Sequence, residues 1–323
     1  MPSKVKTLYS LLKWIGLGLG ALAAITVLSV VILWWIGLQR LEAESVIVST
    51  RLGPMEYTST GEGPPVLILH GSPGGYDQFL PLARALADRG HRAITISRPG
   101  YLRTPQDLGR TPEEQADAYA AFLDALEVPR TFVIGVSGGG PSTLQFALRH
   151  PDRVQGLVLV CAVAKRLLEE EPHPDELRPF DLIWDLGALA ARFFPTVGLQ
   201  FLGIDSDADR KRYLADPETL QGVQYLFQSL GFNSHRPGYV NDMLSYGWDD
   251  LDYPLERLRA PTLLLHGSND TNVPLAHSQK VAAGVPGAEL KVLEGAGHAF
   301  FVLEHQWLED QIVGFFRMIS TSP

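Results

Sequence analysis

Thr131-Phe132-Val133-Ile134-Gly135-Val136-Ser137-Gly138-Gly139-Gly140-Pro141 is the stretch that decides the fold. An apolar, β-branched run long enough for one strand feeds into a glycine-flanked serine, and a helical pattern follows to Arg149. A serine on so sharp a strand-to-helix turn is crowded by its neighbours, and glycines two positions before and after it, Gly135 and Gly139, relieve the clash. The turn lifts the hydroxyl above the sheet and aims the first amides of the helix at any oxyanion forming beside it. A tight glycine turn with an incidental serine would share the pentapeptide, but the motif sits where the strand and helix patterns meet.

Outward from this segment, short buried-strand patterns alternate with helical ones. Val66–His70, Ala93–Ser97, Phe132–Val136, Gly156–Val160, Thr262–His266 and Glu289–Leu293 read as strands. Asp77–Asp88, Thr111–Leu126, Gly138–Arg149, Leu275–Ala283 and Glu304–Met318 read as helices, with Thr111-Pro112-Glu113-Glu114 as a capping box. Such alternation predicts an α/β fold, a mostly parallel central sheet with helices on both faces and its working residues in loops after the strand C-terminal ends. Ser45–Arg51 and Met55–Ser59 alternate more clearly and could add an antiparallel edge. Residues from about 164 to 251 break the rhythm with an acidic Glu169-Glu170-Glu171-Pro172 opening and aromatic-rich helical patches, the pattern of a helical lid inserted over the sheet.

With these segments in view, the chain from about Pro54 to Phe316 resembles the α/β-hydrolase family. His70-Gly71-Ser72-Pro73-Gly74-Gly75 follows the first buried strand as the family's oxyanion loop does, with His70 and Gly71 supporting it. The resemblance implies an oxyanion hole built from the backbone amides of Ser72 and Gly138. Leu265-His266-Gly267-Ser268-Asn269-Asp270 resembles the strand end that carries the acid, which makes Asp270 that acid. Glu294-Gly295-Ala296-Gly297-His298 matches the loop of the histidine, and the order Ser137, Asp270, His298 is the family's. One departure is Ser97, where the family commonly has Asp, so the local hydrogen bonds near that loop are expected to differ.

The residue types make chemical sense on their own. A serine hydroxyl is a weak nucleophile until a base takes its proton, and an imidazole titrating near 6.5 suits that task. A carboxylate behind the ring fixes its tautomer and stabilises the imidazolium. His277 and His305 fall within helical patterns and read as surface or core residues, and His70 and His266 end strands in structural positions. Asp242, Asp249 and Asp250 read as solvated residues of the insertion, with Asp250 a reserve acid. Cys161 lies in an apolar run without a flanking histidine, as a buried inert thiol does.

From Trp14 to Gln39 no residue is charged, and most are Leu, Ile, Val, Ala or Gly. At about 1.5 Å per residue, a helix of that length exceeds the roughly 30 Å hydrocarbon thickness. Trp14 and the Trp34–Trp35 pair stand at its ends, Lys4, Lys6 and Lys13 precede it, and Glu42 and Glu44 follow Arg40. The expectation is a cytoplasmic segment 1–13, a single-pass transmembrane anchor over 14–39, and an extracytoplasmic domain over 40–323 at the cell membrane. A cleaved signal would be shorter and end in small residues. Gly16-x-Gly18-x-Gly20 lies inside the span with no strand before it, which argues against a phosphate loop, and Gly16-xxx-Gly20 hints weakly at dimerisation.

Composition narrows the function classes. The 323 residues hold 27 Lys plus Arg against 36 Asp plus Glu, a net charge of −9 that falls to about −13 without residues 1–40. No basic stripe appears, so no nucleic-acid partner is expected. A single cysteine excludes an intramolecular disulfide and a multi-cysteine metal centre, and neither metal nor cofactor is expected. Serine at position 137 disfavours the aspartate-nucleophile activities of the family, epoxide hydrolysis and dehalogenation. The reading is a serine hydrolase of carboxylic esters, small or lipid-like. Rival readings are an aminopeptidase similar to the proline iminopeptidases, with an acidic clamp from Glu169–Glu171 or Asp175, a C–C bond hydrolase, and a non-catalytic ligand-binding protein. Trp184, Phe193, Phe194, Tyr225, Phe227 and Trp248 suit either an apolar substrate pocket or ordinary packing within the lid.

Overall fold

The apolar runs of the sequence become the strands of one sheet. The computed structural model describes residues 12–22, 25–26, 28–29, 32, 43–170, 181–230, 235–247 and 251–321. Strands β1 (Val46–Thr50), β2 (Gly53–Thr60), β3 (Pro65–Leu69), β4 (Arg92–Ile96), β5 (Thr131–Val136), β6 (Val154–Val160), β7 (Thr262–Gly267) and β8 (Glu289–Leu293) pair in the order β1-β2-β4-β3-β5-β6-β7-β8. From β4 to β8 every neighbouring pair is parallel, while β2 runs antiparallel to β4 and so supplies the antiparallel edge.

Why these strands lack alternation is visible in their two faces. Val66, Ile68, Phe132, Ile134, Val158 and Leu263 point into one core, shared with Leu82 and Leu86 of the helix Leu80–Asp88 and with Ile312 and Phe316 of the helix His305–Thr321. Leu67, Leu69, Val133, Leu157, Leu159 and Leu264 point the other way, onto Phe122 and Leu123 of the helix Pro112–Ala125 and Leu144 of the helix Gly140–Arg149. Residues of both parities are therefore apolar. The helix Pro112–Ala125 starts at the expected capping box, where Glu114 N donates to Thr111 Oγ1 at 3.2 Å and Thr111 N to Glu114 Oε2 at 3.1 Å, a motif worth about 1 kcal/mol.

Between β6 and β7 the chain leaves the sheet. Among the described residues this insertion holds the helices Asp181–Phe193, Pro195–Phe201, Asp207–Ala215, Pro217–Leu230 and Arg236–Asp242, followed by a π-helical turn, Met243–Gly247. Its apolar side chains Ala191, Leu199, Val223 and Phe227 join the first of the two cores.

The chain divides into two units, residues 1–46 and 47–323. In the first, residues 12–22 are helical. Among the described residues no helix is long and apolar enough to cross a membrane. The anticipated cytoplasmic segment and span rest in part on residues 1–11, 23–24, 27, 30–31 and 33–42, which lie outside the described residues.

Candidate active site

Ser137 occupies the turn between β5 and its helix with φ of +48°. A non-glycine residue in that region costs roughly 1–3 kcal/mol, so its surroundings must hold it. Val163 N donates to Ser137 O at 2.9 Å, and Thr143 Oγ1 donates to Gly139 O at 2.7 Å. A side chain at Gly135 would stand 2.7 Å from Thr143 Cβ, and one at Gly139 would stand 2.6 Å from His70 O. Both glycines are thus required by close approach, as the serine turn demands.

Two further loops bring their side chains to the hydroxyl. Ser137 Oγ lies 3.0 Å from His298 Nε2, and His298 Nδ1 lies 2.7 Å from Asp270 Oδ2. The carboxylate can only accept, so Nδ1 carries the ring proton and Nε2 faces the serine hydroxyl as an acceptor. The loops after β7 and β8 are stitched together by Asn269 N to Ala296 O at 2.9 Å, Ser268 N to Leu293 O at 3.0 Å and Gly295 N to Ser268 Oγ at 2.8 Å. Asp270 Oδ1 accepts from the amides of Asn272 and Val273, each at 2.9 Å, and His266 Nε2 stands 3.3 Å from Oδ2. Burial pushes the Asp270 carboxyl up, but hydrogen bonds from His266 and His298 outweigh it and hold the group well below the usual carboxylate range.

The loop after β3 completes the site from the other side. A side chain at Gly138 would stand 2.7 Å from Ser72 Cβ and 3.1 Å from Ser72 N, so the two residues named for the oxyanion hole are in contact. His70 is fully buried: Nδ1 donates to Gly71 O at 2.7 Å and Nε2 accepts from Arg98 N at 3.0 Å. Burial and the neighbouring Arg98 keep its pKa well below 6.5, which makes it a neutral brace. Gly71 N donates to Gln78 Oε1 at 2.9 Å.

Asp242 corrects the sequence reading. Instead of being solvated, it is fully buried against this loop, with Oδ2 2.5 Å from Arg98 Nη2 and accepting from Tyr101 Oη at 2.6 Å. It also accepts from Ser72 Oγ. Arg98 is equally buried and donates from Nε to His70 O at 2.9 Å and from Nη2 to Ser72 Oγ at 2.9 Å. Burial works against the guanidinium charge, but the Asp242 carboxylate prevails and raises the Arg98 pKa well above its ordinary value. Asp249 and Asp250 lie outside the described residues. At the loop after β4, Ser97 Oγ donates to Glu56 Oε2 at 2.9 Å, and Glu56 also binds Arg103 Nε at 2.7 Å.

Other candidates fall away from the reacting atoms. His277 Nδ1 accepts from the amides of Ala164 and Lys165 at 3.1 and 3.2 Å, and burial lowers its pKa to about 4. Glu169 and Glu170 are exposed, and Glu171 and Asp175 lie outside the described residues. Tyr225 and Phe227 are buried, Phe193 and Phe194 are exposed, and the side chains of Trp184 and Trp248 lie outside those described. Among the described residues, two groups could offer metal ligands, Cys161 with Asp270 and His298, and Glu218 with His305 and Glu309. Burial pushes the Cys161 thiol up and keeps it protonated, while His305, raised to about 9 by hydrogen bonds to Glu309 and Asp216 against a burial penalty, is itself the cation among the second group's carboxylates.

The sequence matches the alpha/beta hydrolase fold family over residues 64–305. It is 30% identical to the putative carbamate hydrolase RutD of Variovorax paradoxus, across 83% of this chain and 97% of that protein. An alpha/beta hydrolase fold protein from Nakamurella multipartita superposes with a TM-score of 0.73 at 34% identity, covering 84% of this chain and 98% of its own. A bacterial membrane phospholipase A superposes with a TM-score of 0.61 at 21% identity, covering 98% of this chain and 99% of its own.

Proposed function

Since the chain belongs to the α/β-hydrolase fold family and is a hydrolase, we propose that it cleaves carboxylic esters of small or lipophilic substrates through an acyl-enzyme on Ser137. The observation that carries this reading is the relay from Ser137 Oγ to His298 at 3.0 Å and from His298 to Asp270 at 2.7 Å. His298 Nε2 takes the hydroxyl proton as Ser137 Oγ attacks the carbonyl carbon, and the amides of Ser72 and Gly138 receive the developing oxyanion. The ring then returns the proton to the departing alkoxide, leaving an acyl-serine. In the second half His298 deprotonates a water, which attacks the acyl carbon, and the proton returns to Ser137 as the acid departs.

The insertion over residues 164–251 serves as a lid whose lining selects the acyl or alcohol group. A lipophilic ester is supported by the resemblance to a membrane phospholipase A. That resemblance extends over 98% of this chain, against 84% for the Nakamurella protein, and with the uncharged stretch Trp14–Gln39 it supports a single-pass anchor over 14–39. Residues 1–13 are then cytoplasmic and the hydrolase domain extracytoplasmic, and pairing through Gly16-xxx-Gly20 would add weak dimerisation.

A fluorophosphonate probe tests the nucleophile: wild type labels and Ser137→Ala does not, and equal labelling refutes the assignment. A panel of p-nitrophenyl esters of graded chain length, run beside prolyl arylamides, tests the substrate class, and faster arylamide cleavage would overturn the ester reading. Alkaline carbonate extraction of membranes tests the anchor, which release of the protein would refute.

A further inference from the structure

The insertion reaches both residues proposed to hold the oxyanion. Asp242, at the end of the helix Arg236–Asp242, accepts from Ser72 Oγ, and Tyr246, one turn later, donates from Oη to Gly138 O. Tyr246 Oη also lies 3.2 Å from Ser72 Oγ. Both side chains are fully buried, and Tyr246 belongs to the π-helical turn Met243–Gly247, a form of helix often found at functional sites.

We infer that Asp242 and Tyr246 are positioning residues of the oxyanion hole, fixing the Ser72 and Gly138 amides through the Ser72 hydroxyl and the Gly138 carbonyl. This deepens the Ser137 acyl-transfer reading and rests on it. Each grip is two atoms removed from a donor that matters. Ser72 Oγ is joined through Cβ and Cα to the N–H that is offered, and Gly138 O is joined through its carbonyl carbon and Cα to the Gly138 N–H, so a hold on that carbonyl limits rotation of the residue that carries the donor. Asp242 is itself immobile, because Arg98 Nη1 and Nη2 meet Oδ1 and Oδ2 at 3.2 and 2.5 Å and Tyr101 Oη adds a third bond at 2.6 Å. Arg98 in turn donates to His70 O at 2.9 Å and Gly71 O at 3.3 Å, so the carboxylate, the guanidinium and the oxyanion loop form one body. This end of the insertion is therefore part of the frame that holds the oxyanion loop.

Asp242→Asn is the direct test but leaves a buried guanidinium without its counter-charge, so it can fail by unfolding. Ser72→Ala and Tyr246→Phe each remove one grip and keep the Arg98–Asp242 pair whole. In the full-length, detergent-purified protein, both variants should keep KM within about twofold, lose about tenfold in kcat, and bind a trifluoromethyl ketone about tenfold more weakly. The ketone adds to Ser137 and places an oxyanion in the hole without needing a particular ester, so it reads the hole directly. Ketone affinity and kcat within twofold of wild type in both variants would overturn the positioning role, as would a fall in kcat with unchanged ketone affinity. Equal ketone binding by wild type and Ser137→Ala would instead overturn the acyl-transfer reading beneath it.

Discussion

Raising the pH toward 9 should loosen the junction between the insertion and the C-terminal helix, because a protonated ring is one of the contacts that hold it. His305 Nε2 lies 2.9 Å from Asp216 Oδ2, and Nδ1 lies 3.2 Å from Glu309 Oε1 and 3.5 Å from Glu218 Oε2, while Arg89 shares Glu309 at 3.0 Å. The hydrogen bond to Glu309, with that to Asp216, raises the ring to about 9 despite burial. Against an ordinary value near 6.5, this is about 3.4 kcal/mol at 1.36 kcal/mol for each pH unit. The ring is 13% exposed, but Asp216 is 33% and Glu218 71% exposed, so solvent screening reduces the figure to about 1–2 kcal/mol. Burial opposes ionisation of Asp216, but Thr219 and His305 hold it down at about 2; the part due to His305 is the same attraction and is counted once. Below about pH 6.5 the ring is protonated whether the chain is folded or not, and the stabilisation is complete. It declines as the pH rises further and is lost above about 9, where the folded state also gives up the proton. Thermal unfolding of wild type and His305→Gln from pH 6 to 10 isolates this contribution. The gap between the two midpoints should shrink by about 2–5 °C over that range. A gap that stays constant with pH would refute the charge-based account.

Asp270→Asn should lower kcat by about 10⁴ with little change in KM, because an amide cannot hold His298 in the required tautomer; steady-state kinetics would show it. Gly135→Ala should lower the unfolding midpoint, at a cost of about 1–3 kcal/mol, because the new Cβ stands 2.7 Å from both Cβ and Cγ2 of Thr143, and the double variant with Thr143→Ala, which removes Cγ2 but keeps Cβ, should recover only part of the loss. Cys161 is fully buried with its thiol pushed up, so a disulfide reagent should modify it only after denaturation, and rapid reaction of the native protein would contradict that placement.

The sequence was informative where one residue's burden is local. Strands such as Val133–Val136 and Leu157–Val160 are apolar at every position because both faces are covered, and Gly135 and Gly139 are glycines because Thr143 and His70 O occupy the space a side chain would need. The loops carrying Asp270 and His298 were legible through their resemblance to the family's acid and histidine loops, each of which follows a strand end. Asp242 was not legible. Asn241-Asp242-Met243 would suit a solvated helix end equally well, and its partner Arg98 stands 144 residues earlier in the chain. Arg98 did carry a signal, as an arginine immediately after a buried strand and before Pro99-Gly100, where a charge must find a counter-charge or leave the fold. Which residue answers it is decided only by how the insertion folds back.

Strands β6 and β7 lie side by side, yet residues 161–261 separate them, and that separation bears on how the protein reaches its native state. Closing a loop some ten times longer than an ordinary crossover costs roughly 2 kcal/mol more in chain entropy, and parallel pairing already depends on distant contacts that slow folding. The pairs β3–β5 and β5–β6 can form before that loop closes, giving a half-sheet that already presents Ser137. Asp270 and His298, both beyond the insertion, can join it only once β7 docks. On the proposed assignment, a nascent chain would thus hold its nucleophile without its base, and the reactive centre would mature only as the last strands arrive.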